Sequence, residues 1–247
     1  MSEEQRVEIG MFTYAPAGKG ATLPRRYDWS AVFAPVPPDT FWTQTLLPTL
    51  GDVRHELGAA GVEQVDLYAK IHPAVAVAVG YAFRRPAGIH LRVSHPTGAT
   101  TALWDSAATP AEPHDLRIET VTVGPRTGAI TLELGISRDG REVRTAVEQW
   151  MQETGTAVYR RVLITPQAGG GRYAVRDNAH AIAIVREISR QIQQVRHTSP
   201  GVTIHLFDAQ PLAMGVFLGM ELNKCGPLQC HIYDSASNSY HPACHLV

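Results

Sequence analysis

The apolar positions recur in a pattern of short strands and longer helices. Residues 7–14, "VEIGMFTY", alternate and predict a first strand. Residues 45–60 carry Leu46, Leu47, Leu50, Val53 and Leu57 at helical spacing, and Pro48 fits there only in a first turn. Residues 65–68 read as a buried strand, 73–83 as an apolar helix and 89–93 as another strand. The stretches 117–123 and 129–136 predict two strands, 142–155 a helix, and 161–164 a strand. Residues 179–195 form a long amphipathic pattern. Strands at 202–207 and 228–233 flank a second apolar helix. Alternating strands and helices predict an α/β fold with mostly parallel sheets. Between the first strand and the first helix, about residues 15–40 are rich in Pro and Gly, which predicts an irregular surface insertion.

The chain repeats itself. "YAKIHPAVAVAVGYAF" at 68–83 aligns without a gap on "FDAQPLAMGVFLGMEL" at 207–222, with Gly80 over Gly219, an offset of 139 (219 − 80). At that offset Leu67 meets Leu206, Val77 meets Val216, Leu91 meets Cys230 and Val93 meets Ile232. The preceding helical stretches correspond as well. Two similar halves are expected, residues 1–115 and 116–247. In each, a strand leads through a short turn into a helix that starts near Pro73 or Pro211. Proline is tolerated there because a first-turn N–H has no partner to lose. The near absence of polar residues in these helices predicts burial on both sides. Gly80 and Gly219 are read as packing glycines that bring helix close to strand.

Composition narrows the function. Of 247 residues 44% are hydrophobic and 18% charged, which permits a sizeable core, and the net charge of −1 gives no general attraction for polymeric nucleic acid or an anionic membrane. Cys225, Cys230 and Cys244 are too few and too oddly numbered for a disulfide framework, so reduced thiols are expected. No apolar run reaches the roughly 18 residues of a membrane span, and the N-terminus lacks a signal-peptide core. A cytoplasmic location is expected. The spacing of Cys225, Cys230, His231, His241, Cys244 and His245 fits zinc poorly, so no metal is assigned. No G-x-G-x-x-G, Walker or G-x-S-x-G motif is present, and no catalytic residue is assigned.

Three blocks, "VDLYAKIHPAVAVAVGYAF", "AITLELGISRD" and "IHLFDAQPLAMGVFLGMELN" with its sequel "HIYDSASNSYHPACHL", resemble the SAVED domain. That domain is similar to a fused pair of CARF, or Rossmann-like, units. The resemblance implies a sensor of cyclic oligonucleotides in prokaryotic antiviral signalling, of the CBASS or type III CRISPR kind. It implies that a second messenger, most simply cyclic tri- or tetra-adenylate, binds between the two halves. It further implies an attached or partner effector (nuclease, TIR or protease) and ligand-driven oligomerisation, of which a head-to-tail filament is one form. The alternative of the same architecture is a ring nuclease that cleaves its ligand. An ordinary nucleotide- or sugar-binding Rossmann enzyme is the third and weakest reading.

Ligands of open parallel sheets bind beyond the carboxyl ends of the strands, where helix N-termini favour phosphate. In the first half this selects Thr13 and Tyr14 after the first strand, and Lys70, Ile71 and His72 in the strand-to-helix turn. In the second half it selects Ser137 and Arg138 after "LELGI", and Gln210, Pro211 and Met214. Arg138 suits bidentate phosphate binding. An exposed Lys70 is more often only solvated. Asp208 would repel phosphate and suits a helix cap better. Trp104 and Tyr240 end the two halves at comparable places and could stack on bases, although core packing is the plainer reading of each. "GGGR" at 169–172 reads as a mobile loop, with Arg172 a candidate to close over a ligand.

Overall fold

The structure is a computed structural model and describes residues 6–34, 36–84, 87–97, 100–111 and 116–247. The chain divides into two compact units, Met1–Thr109 with Leu212–Asn223, and Pro110–Pro211 with Lys224–Val247. Both are α/β, as the alternation of strands and helices predicts.

The first unit is built on strands β1 (Arg6–Phe12), β2 (Arg26–Asp28), β3 (Gln64–Lys70), β4 (His90–Thr97) and β5 (Thr100–Asp105), in the order β2-β1-β3-β4-β5. The first four run parallel, and β5 returns antiparallel to β4. Strand β2 lies within the insertion expected to be irregular, and a short 3₁₀ turn at Lys19–Thr22 precedes it. Glycine is what lets this segment lie on the sheet. A Cβ on Gly10 would stand 2.4 Å from the Gly20 carbonyl oxygen, and one on Gly20 would stand 2.8 Å from Tyr68 Cβ.

The first long helix also starts earlier than its apolar pattern. Helix α1 (Asp39–Phe41) runs through a π-helical turn, Trp42–Leu46, into α2 (Leu47–Ala59). Leu47 N–H donates to the Trp42 carbonyl, five residues back. This wider turn precedes Pro48, which has no N–H to give and whose ring crowds a normal helical carbonyl.

Helix α3 (Pro73–Ala82) is buried from Ala74 to Gly80. Its partner is α6 (Leu212–Glu221), the equivalent helix of the second repeat, which lies in the same compact unit. Helix α2 also packs on α3, and β4 on α6. That coverage accounts for two helices with almost no polar residue. The expectation that Gly80 and Gly219 serve a helix–strand contact is corrected. A Cβ on Gly80 would stand 1.8 Å from the Val216 carbonyl oxygen, and one on Gly219 would stand 2.1 Å from that of Val77. The glycines let two helix backbones touch.

The second unit carries β6 (Leu116–Thr122), β7 (Ala129–Gly135), β8 (Val158–Pro166), β9 (Ile204–Ala209), β10 (Leu228–Asp234) and β11 (Ser239–Leu246), ordered β11-β10-β9-β7-β8-β6. Strands β10, β9, β7 and β8 are parallel, with an antiparallel strand at each edge. Helix α4 (Gly140–Thr154) is capped by Asp139, whose carboxylate accepts from Arg141 N–H at 2.7 Å, and ends on Gly155 at φ 63°. Helix α5 (Asn178–Thr198) is capped likewise by Asp177. The inner face of α4, through Val143, Val147 and Trp150, packs on Val158, Phe207 and Tyr240.

The repeat survives in three dimensions, with one change of register. Phe12 pairs with Lys70, and Gly135 pairs with Ala209, so β3 and β9 keep the offset of 139 while β1 and β7 correspond at 123 (135 − 12). The next strand does not keep it. Leu67 faces Val93 while Leu206 faces Cys230, so Cys230 corresponds to Val93 rather than to Leu91. A two-residue slip leaves every side chain on its original face, so the alternation of apolar positions cannot reveal it.

Candidate functional site

The carboxyl ends of the central strands are built alike in the two units. The Lys70 carbonyl accepts from the N–H groups of Thr13 (3.0 Å) and Tyr14 (3.3 Å). The Ala209 carbonyl accepts from those of Ile136 (2.9 Å) and Ser137 (2.8 Å). One carbonyl thus fastens the outgoing chain of the neighbouring strand just before each apolar helix.

In the first unit this brings Thr13, Tyr14, Lys70 and His72 together. Thr13 is buried, and its hydroxyl accepts from His72 N–H at 2.8 Å and lies 2.9 Å from His72 Nδ1. The His72 ring stacks on Tyr14 (centroids 4.2 Å apart) and on Phe33 (4.9 Å). Burial pushes His72 down to about 4, so its ring is neutral at physiological pH. Tyr14 keeps 42% of its surface exposed, enough to meet a base. Lys70 is exposed, with Nζ 3.5 Å from the Ala15 carbonyl. Ile71 is buried beneath the turn.

In the second unit Ser137 is half-buried and Arg138 exposed. The Arg138 guanidinium lies over the Tyr233 ring at 4.8 Å and reaches Glu142 only at 3.7 Å. The glycine-rich segment is anchored rather than adrift. A Cβ on Gly170 would stand 1.9 Å from the Arg138 carbonyl oxygen, and Gly171 N–H donates to the Ile136 carbonyl at 3.0 Å. Ala174 N–H then closes a turn on Gly171, with Arg172 and a 78%-exposed Tyr173 at its tip. Gln210 is buried, and its amide donates to Asp208 at 3.1 Å. Pro211 is half-buried.

A cavity of about 390 Å³ is lined by Arg138, Arg141, Asn238, Tyr233 and Tyr240, among others. A second, of about 520 Å³, opens beside it along Arg117, Arg141, Arg144 and Gly170. Both volumes suit a nucleotide-sized group.

Two candidates lie in cores. Met214 is fully buried in α6. Trp104 is 4% exposed, with its ring 3.8 Å from that of His95. Trp104 and Tyr240 are also not equivalent. Trp104 pairs with Val93 near the open end of its hairpin, whereas Tyr240 pairs with Tyr233 next to the turn. Tyr240 packs on Phe207, and burial drives its phenol well above the ordinary range.

Sequence reasoning missed Phe33, Tyr233, Asn238 and Arg141. Phe33 sits in the aperiodic insertion, and Tyr233 and Asn238 depend on a hairpin whose second strand is interrupted by Pro242. The three cysteines are buried and not disulfide-bonded. Among the described residues no group of three or more His, Cys, Asp and Glu could hold a metal ion. Among the same residues, no helix is long and apolar enough to cross a membrane.

Paired Rossmann-like sheets with fastened turns at their strand ends define a class of doubled nucleotide-binding folds. The model of the SMODS-associated and fused to various effectors sensor domain, SAVED, matches residues 48–246, and the chain belongs to that family. CD-NTase-associated protein 4 of Enterobacter hormaechei subsp. hoffmannii (strain UCI 50) is 24% identical over 202 residues, covering 80% of this chain and 38% of the relative. The Acinetobacter baumannii Cap4 SAVED/CARF-domain containing receptor, solved with the cyclic trinucleotide 2′3′3′-cAAA, shares the fold at TM-score 0.75 and 14% identity, over 98% of this chain and 51% of that one. The same receptor with 3′3′3′-cAAA gives 0.71 at 15% identity, over 98% and 51%. The Moraxella osloensis Cap4 receptor gives 0.67 at 12%, over 100% and 50%. The chain therefore spans about half the length of these receptors or less.

Proposed function

We propose that the protein senses a cyclic oligonucleotide, most simply a cyclic triadenylate, in cytoplasmic antiviral signalling of the CBASS or type III CRISPR kind. The observation that carries this is the twice-repeated strand-end turn, in which the Lys70 and Ala209 carbonyls hold the neighbouring strand's exit at the position where parallel sheets take ligands. The Acinetobacter baumannii receptor, solved with two cyclic trinucleotides, supports the ligand class. Ligand contacts fall to Thr13, Tyr14, Lys70, Ile71 and His72, and to Ser137, Arg138, Gln210, Pro211 and Tyr240, with Arg172 and Tyr173 at the rim. Met214 and Trp104 serve from the cores behind them.

Tyr14 supplies a stacking face, worth about 1–3 kcal/mol per base. Arg138 supplies phosphate charge on a guanidinium that lies over the Tyr233 ring. Binding then activates an attached or partner effector (nuclease, TIR or protease), by ligand-driven oligomerisation or filament growth. This reading calls on no cofactor or metal. Cleavage of the ring is not favoured by these groups, because His72 Nδ1 is engaged with Thr13 and its ring is stacked on Tyr14 and Phe33.

A melting screen over cyclic di-, tri- and tetranucleotides tests the reading. One cyclic oligoadenylate is expected to raise the melting temperature strongly while AMP does not, since only a ligand selective for the native state stabilises it. No shift with any ring would overturn the proposal.

A further inference from the structure

Two acceptor atoms at the end of β9 have no donor. Asp208 Oδ1 and Gln210 Oε1 are both buried and make no hydrogen bond. Their residues are only 6% and 5% exposed. The rest of the pair is committed: Gln210 Nε2 donates to Asp208 Oδ2 at 3.1 Å. Gln210 therefore has its oxygen left over, and Asp208 has one carboxylate oxygen left over. Between them stands Ala209, whose carbonyl fastens Ile136 and Ser137.

A buried acceptor without a donor forfeits its hydration and gains nothing in return, so natural proteins seldom keep one, and two side by side are rarer still. The position matters as much as the deficit. The pair lies at the carboxyl end of β9, an inner strand of a mostly parallel sheet, where such sheets take up ligands. Two neighbouring acceptors call for a group with two N–H bonds on one nitrogen. An exocyclic amine of a nucleobase is such a group, and a carboxylate or amide oxygen is its usual protein partner.

We infer that Asp208 and Gln210 read the exocyclic amino group of an adenine in the bound ring. This rests on the sensor reading above and gives it a basis for base selection. The pair accepts from the 6-amino group of adenine. A 6-oxo purine would set oxygen against oxygen in a dehydrated site. Discrimination by a buried hydrogen-bonding pair is steep, because the wrong base leaves the acceptors unpaired again.

The test compares equilibrium binding, at about pH 8 where Asp208 is ionised, of cyclic triadenylate with that of the same ring carrying hypoxanthine in place of adenine. The wild-type chain is expected to prefer the adenine ring at least about tenfold. In Asp208→Asn an amide N–H replaces an acceptor, and the preference should fall to within about threefold, with a ligand-free melting temperature no lower than wild type. Gln210→Leu serves as the second variant and should narrow the preference in the same direction. Equal wild-type affinity for the two rings, or full preference kept in Asp208→Asn, would overturn this inference alone. Wild-type failure to bind either ring would overturn it together with the sensor reading.

Discussion

Gly80 and Gly219 meet at the crossing of α3 and α6, each lying where a Cβ would strike the other helix's backbone, at 1.8 Å and 2.1 Å from a carbonyl oxygen. Backbone cannot rotate out of the way as a side chain can. Gly80→Ala and Gly219→Ala should each cost about 3 kcal/mol or more, at the upper end of overpacking effects. Denaturant unfolding measures this. A cost under about 1 kcal/mol would mean that the helices do not touch here.

A buried ion pair spans β7 and β8. Arg161 donates to both carboxylate oxygens of Glu133, at 2.7 and 2.9 Å, and to Glu148 at 2.7 Å. Thr131 donates to the same Glu133. Arg161→Leu strands a fully buried carboxylate and should cost about 3–5 kcal/mol, whereas the double variant Glu133→Leu/Arg161→Leu should recover much of that loss. A double variant as unstable as the single one would contradict the pairing.

Acid should weaken the fold. Burial pushes His72 and His205 down to about 4, with the His245 charge adding to the effect at His205. Burial, then His205 and His241, hold His231 well below its usual range. The unfolded chain takes up these protons near 6.5 and the native chain refuses them. Their contribution is complete above about pH 6.5 and is lost as pH falls toward 4, by roughly 1–2 kcal/mol per histidine at pH 5. Asp208 runs the other way. Burial raises it to about 7 against the opposing hydrogen bonds of Gln210, so its ionisation costs stability as pH rises through neutrality. Asp208→Asn should therefore be the more stable chain at pH 8 and lose stability more steeply than wild type on acidification. Melting curves from pH 8 to 5 decide. Parallel profiles for the two chains would contradict the assignment.

Arg138 is exposed, with a long contact to Glu142 and its guanidinium over Tyr233, so its removal should leave the fold intact. Arg138→Ala should lower affinity for cyclic triadenylate about 10- to 100-fold, as loss of a charge-assisted contact does. Arg138→Lys should restore only part of it, because an ammonium lacks the planar fork that bonds a phosphate through two N–H groups. Unchanged binding in Arg138→Ala would remove this turn from the site.

The sheet cores, the five long helices and the repeat were legible because apolar spacing and two collinear motifs report burial directly. What stayed hidden depended on partners remote in sequence. Strand β2 is three residues long and earns its place only by pairing with β1. Strand β5 alternates weakly, and β11 carries Pro242 and three polar residues among its eight. The glycine pair was recognised as packing, but its true neighbour was the other repeat's helix. Chain position was enough to place Thr13, Tyr14, Lys70 and His72 at one strand end. Phe33 and Tyr233 needed the folded register, and so did the unpaired acceptors of Asp208 and Gln210.

Isothermal titration of the wild-type chain with cyclic triadenylate, against linear triadenylate as control, is the most direct measurement. Saturable binding with a dissociation constant below about 1 μM, some 8 kcal/mol of affinity, and little heat from the linear form is the expected result. No heat from any cyclic oligoadenylate, or equal affinity for the linear chain, would contradict ring sensing.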